Sequence, residues 1–65
     1  MATNDAFNDH SAATQVNSHH QDGWDFHDAV RTVANDMNTT AGTVARAFIK
    51  EFGELADGYG PGDFR

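Results

Sequence analysis

Cysteine is absent from the 65 residues, so neither a disulfide staple nor a thiolate metal site is open to this chain. Basic residues are almost as scarce: four Lys and Arg stand against ten Asp and Glu, for a formal net charge of -6. That balance argues against a general-purpose polyanion binder, because Lys and Arg carry phosphate affinity. No run approaches the roughly 20 consecutive apolar residues of a membrane span, and no apolar core of a secretory signal is present. Proline occurs once, at Pro61. A pocket of several hundred Å³ for multistep chemistry needs more scaffold than so short a chain supplies, so no enzyme is expected. These absences point to a single small domain, soluble and cytoplasmic, with no membrane role and no cofactor.

What is present divides the chain into three parts. Residues 1–21 contain no Lys or Arg, and their only bulky apolar side chains are Met1, Phe7 and Val16. Phe7 and Val16 are badly spaced to share a helix face, so the segment is expected to be a disordered, polar and acidic tail. From residue 22 the pattern changes. Asp22 is an N-cap candidate, with Asp25 three residues on, and Phe26, Val30, Val33 and Met37 then form one apolar stripe flanked by Ala29 and Ala34. The spacing predicts a helix over 23–37, ended by Asn38, the residue other than glycine that best tolerates the left-handed conformation.

Thr39 and Thr40 are N-cap candidates for a second helix, with Ala41, Val44, Ala45, Ala47, Phe48, Phe52 and Leu55 on its inner side. Gly53 is placed to stop it early, with Gly58 as the alternative stop, so residues 22–57 read as a two-helix domain. Residues 58–65 hold three Gly and the only Pro, and are expected to be a flexible C-terminal tail. The fold class expected is therefore all-α: a small helix-turn-helix or helical hairpin with flexible ends. Two helices bury only one side each, so a third element, a second copy or a partner is needed to cover the remainder. A homodimer through Ile49, Phe52 and Leu55, with Tyr59 as a further anchor of a protein interface, is the expected solution.

The residues between the two helices have a grammar of their own. Ala34 is a small residue suited to a helix crossing, Asn38 follows four residues later as a turn residue, and Val44 comes six after that. The run Val33-Ala-Asn-Asp-Met-Asn-Thr-Thr-Ala-Gly-Thr-Val-Ala-Arg-Ala-Phe48 resembles the helix-turn-helix of bacterial and phage repressors, including the lactose-repressor type. The resemblance covers roughly residues 30–50. Asn38 stands where that group usually has glycine, and Thr39 where it usually has an aliphatic residue. The resemblance implies a second helix that enters the major groove, with Thr40, Ala41, Gly42, Thr43 and Arg46 toward the bases and Lys50 and Arg31 toward phosphates. Arg46 alone among these is able to make a bidentate contact to guanine. A small dimeric transcriptional regulator, phage- or plasmid-encoded, is the function this implies, with DNA as its partner.

Other constellations carry less. His10, His19, His20 and His27 lie near Asp22, Asp25 and Asp28, but no pair holds an i, i+4 spacing on an expected helix, so adventitious binding of Zn or Ni is the most they suggest. Trp24, Phe26 and Tyr59 have faces on which bases stack, yet with no cations around them core packing explains Trp24 and Phe26 better. Charge keeps a second function in view. Residues 1–22 hold Asp5, Asp9 and Asp22 with no base, and residues 51–65 hold Glu51, Glu54, Asp57 and Asp63 against Arg65, whereas the centre is balanced. An acidic adaptor or inhibitor, imitating nucleic acid on a basic surface of a host protein, is the alternative these flanks favour.

Overall fold

In the computed structural model, which describes residues 8–64, the chain is all-α, with three helices among the described residues: α1 (Asp9–Gln21), α2 (Phe26–Asp36) and α3 (Ala41–Phe52). A 3₁₀ turn, Pro61–Asp63, follows. Each helix packs against the other two, and the 3₁₀ turn packs on α3.

The first departure from expectation is α1, which occupies most of the segment read as a disordered tail (residues 1–7 of that reading lie outside the described residues). Local signals start and stop it. The Asn8 side chain accepts from the Ser11 backbone N–H at 3.0 Å, and Asp9 places a carboxylate in the first turn, where the helix dipole favours it. Ala12, Ala13 and Val16 are fully buried and line one face. The expectation failed because it counted bulky apolar residues: this stripe is mostly alanine, the best helix former, and its small side chains bring the backbone close to its neighbours.

The start of α2 is also corrected. Asp22 does not cap α2; it terminates α1. Gly23, at φ 102°, donates its N–H to the His20 carbonyl, and the Trp24 N–H donates to the His19 carbonyl, both at 3.1 Å. That pair of bonds is a Schellman closure with glycine in its left-handed position. Asp25 is the N-cap of α2, its carboxylate accepting from the backbone N–H groups of His27 at 3.0 Å and Asp28 at 3.4 Å.

The turn after α2 repeats the same closure with Asn38 in place of glycine. Asn38 sits at φ 56°, its N–H donates to the Asn35 carbonyl, and the Thr39 N–H reaches the Ala34 carbonyl at 2.9 Å. A β-branched residue here meets the left-handed penalty of about 1–2 kcal/mol. Asn38→Val is accordingly expected to lower the urea midpoint by that amount of stability, while Asn38→Gly leaves it unchanged or slightly raised. Thr40 then caps α3, its hydroxyl accepting from the Thr43 N–H at 3.2 Å, and Gly53 at φ 90° ends the helix.

The core runs between the three helices. Phe26, Val30, Val33 and Val44 are fully buried with the α1 stripe, and Phe48, Leu55 and Phe64 are nearly so. The C-terminal residues therefore do not form the free tail expected of 58–65: Phe64 is 4% exposed, and Tyr59 packs against the core. Their anchor is an aromatic collar around Phe26, with ring centroids of Phe48 at 5.0 Å, His20 at 5.4 Å, Tyr59 at 5.9 Å and Phe64 at 6.1 Å. His27 stacks on Phe64 at 4.9 Å. Residue 65 lies outside the described residues.

A candidate nucleic-acid interface

Ala34, Asn38 and Val44 span the turn between α2 and α3. Ala34 is 4% exposed, Val44 is fully buried, and Asn38 between them has positive φ. Met37 packs against the core from a half-buried position, and Ala47 is buried. α1 covers both arms of this unit, supplying the third layer that two helices lack.

On the outer side of α3, four of the seven residues expected to contact DNA come together. Thr40, Gly42, Thr43 and Arg46 line a shallow depression of ≈ 350 Å³, whose opposite wall is Pro61, Gly62 and Phe64. Thr40 and Arg46 are exposed, while Gly42 and Thr43 are half-buried. The Thr40 and Thr43 hydroxyls lie 2.9 Å apart at the first turn of the helix. Arg46 follows Thr43 by three residues, so its guanidinium rises from the same face one turn on. The depression thus offers hydroxyls, the positive end of the α3 dipole and one guanidinium, a set of donors with no carboxylate among its lining residues. The far wall is held by a local bond in which the Gly60 N–H donates to the Asp63 carboxylate at 2.8 Å.

The other three expected contacts are not part of this surface. Ala41 is half-buried and packs against the core. Arg31 lies on the outward side of α2, where it lines a separate depression with Trp24, Asp28, Thr32 and Asn35. Lys50 is exposed but engaged: its ammonium donates to Asp9 at 3.0 Å, and that bond and charge hold its pKa above the usual lysine value. Beside it, His10 donates to Glu51 at 2.8 Å, so both contacts tie the start of α1 to the end of α3. Such exposed pairs orient helices more than they stabilise them.

The residues expected at a protein interface are dispersed. Leu55 is 8% exposed and belongs to the chain's own core, while Ile49 and Tyr59 are half-buried against it. The Tyr59 hydroxyl has its pKa raised, first by burial and then by the carboxylates of Asp25, Asp57, Asp63 and Asp28. Phe52 alone of the four is open, at 49% exposure. A continuous Ile49–Phe52–Leu55 face therefore does not exist, because α1 and the segment after Gly53 cover what a second copy was expected to cover. Trp24, expected in the core, is instead 41% exposed and stacks on His19 at 4.5 Å.

Among the described residues, no three His, Asp or Glu side chains gather as a metal ion requires, and no helix is long and apolar enough to cross a membrane. Comparison with protein-family models, curated proteins and solved structures finds no match to this chain.

Proposed function

We propose that the chain is a small helix-turn-helix DNA-binding protein that acts in transcription regulation. The observation that carries this reading is the convergence of Thr40, Gly42, Thr43 and Arg46 on one exposed surface at the start of α3, directly after a left-handed turn at Asn38. In this reading α3 lies in the major groove with its first turns at the base edges, and Arg46 is the one side chain that forms a bidentate contact to guanine. The threonine hydroxyls and the α3 N-terminus serve phosphate oxygens or bases at close range.

The charge balance limits the affinity, and that limit is itself testable. Counting all four Lys and Arg as the most that reach DNA from one copy, the slope of log K against log salt is no steeper than about -3.6, at about -0.9 per neutralised phosphate. Fluorescence anisotropy on duplex DNA over a salt series measures it. The full chain is expected to bind at low salt, and Arg46→Ala is expected to weaken specific binding by about 1–3 kcal/mol while leaving far-UV circular dichroism unchanged. No binding at the lowest salt refutes the reading; binding indifferent to Arg46 shows that α3 is not the reading helix.

A second reading is favoured by the distribution of exposed carboxylates. Asp22, Asp25, Asp28, Asp36, Glu54, Asp57 and Asp63 are all exposed, against Arg31 and Arg46 as the exposed cations with no ion pair among the described residues. A surface of that sign suits an adaptor or inhibitor that docks on a basic host protein, such as a polymerase or nuclease subunit. Association with such a partner that persists in Arg46→Ala, together with no DNA binding at low salt, selects this reading over the first.

A further inference from the structure

The depression on the outer side of α2 is chemically unlike the one on α3. It has a volume of ≈ 560 Å³ and is lined by Trp24, Asp28, Arg31, Thr32 and Asn35. Trp24 precedes the helix, and the other four follow at intervals of four, three, one and three residues along its outward face. One carboxylate and one guanidinium stand three residues apart, both exposed, and neither has an ion-pair partner among the described residues. The indole stacks on His19 and stays partly open to solvent.

This arrangement is complementary to itself. When two α2 helices lie antiparallel across a two-fold axis, residue i meets j and residue j meets i. The register that sets Asp28 against Arg31 of a second copy also sets Arg31 against its Asp28. Trp24, just before the Asp25 N-cap, then lies at the end of the contact, toward the Asn35 end of the second copy's α2. The lining has no net charge to steer a strongly basic or acidic partner, whereas its own copy answers both charges at once. We infer that α2 and Trp24 form a symmetric homodimer interface, with two Asp28–Arg31 pairs across the axis and Trp24 as its buried aromatic anchor. Tryptophan and arginine are the residue types most enriched at such anchor points. The site replaces the Ile49–Phe52–Leu55 face expected from sequence, and it does not depend on DNA binding.

One helix face is a small contact. Standard interfaces bury about 800 Å² per partner, roughly a fifth of the 3934 Å² this chain exposes, so the dimer is expected to be weak. Sedimentation equilibrium on the full chain is expected to show monomer and dimer exchanging with concentration. Trp24 is the only tryptophan, and its emission is expected to shift to shorter wavelength as the dimer fills. Asp28→Arg and Arg31→Asp are each expected to weaken the dimer by about tenfold or more, and the double exchange D28R/R31D to restore it. A wild-type chain that stays monomeric at high-micromolar concentration overturns the proposal, as does a double exchange no tighter than the single ones. Should a single variant lose its helical circular dichroism, the concentration dependence of wild-type Trp24 emission decides alone: no shift refutes the interface. The oligomeric state is read without DNA, so failure here is distinct from failure of the DNA-binding reading.

Discussion

Phe26→Ala is expected to lower the thermal midpoint by about 12–40 °C, removing between a third and all of the chain's stability. The ring is fully buried and joins the other two helices and the C-terminal segment: His20 at the end of α1, Phe48 of α3, and Tyr59 and Phe64. Removing a buried phenylalanine costs about 3–5 kcal/mol. A natural domain holds about 0.05–0.15 kcal/mol per residue, so a chain of this length has about 3–10 kcal/mol in all. Each kcal/mol moves the midpoint of so small a domain by about 4–8 °C, which sets the size of the fall. A far-UV circular dichroism melt measures it, with Phe52→Ala as the control. Phe52 is 49% exposed and touches Phe48 from outside the core, so its loss is expected to cost far less. Equal shifts in the two variants would show that Phe26 is not the centre of the core.

Removal of residues 1–21 is expected to abolish cooperative folding of what remains. Without α1, the two-helix unit loses the face formed by Ala12, Ala13 and Val16, all fully buried. The apolar stripes of α2 and α3 each face inward, and α1 lies against both. Water would then reach Val30, Val33 and Val44 from the side α1 now closes, and isolated helices of 11 and 12 residues are marginal without tertiary contacts. The measurement is circular dichroism and urea unfolding of the residue 22–65 fragment beside the full chain. A fragment that keeps a sharp unfolding transition would show that α1 is an accessory rather than a structural third.

Both expectations concern parts of the chain whose role the sequence concealed to different degrees. The α2–α3 unit was legible in advance: its apolar stripes recur at helical spacing, Asn38 ends α2 as expected, and Thr40 and Gly53 are each one of the two candidates offered for their end of α3. These are local properties, set by backbone dihedrals and by neighbours three or four residues away. α1 was hidden because its inner face is built from alanine and one valine among polar residues. The pair Asp22–Gly23 was ambiguous for a similar reason. An aspartate there reads as the start of a helix, and a glycine after it serves equally as the stop of another; the φ of 102° at Gly23 resolves it as the stop.

The candidate site divides along the same line. The seven expected contact residues follow from position along α2, the turn and α3, and four of them do share a surface. Position along the chain did not reveal that Lys50 is held by Asp9 or that Arg31 looks out beside Trp24, since both depend on how helices pair. Nor did it reveal that Pro61 and Gly62 wall the α3 depression. A glycine-rich run is irregular in isolation, and only the aromatic collar around Phe26 gives Tyr59 and Phe64 a place to be buried.

The scarcity of cysteine and of basic residues, the all-α class and the left-handed turn at Asn38 were thus determined by the sequence alone, because composition and short-range backbone geometry carry them; for α3 the sequence narrowed its start to Thr39 or Thr40 and its stop to Gly53 or Gly58. The third helix, the seating of the C-terminal segment and the choice of which cations stay unpaired were decided only in the tertiary structure. A weakly apolar segment acquires its conformation from the surface another part of the chain presents, and that surface exists only once the chain has folded.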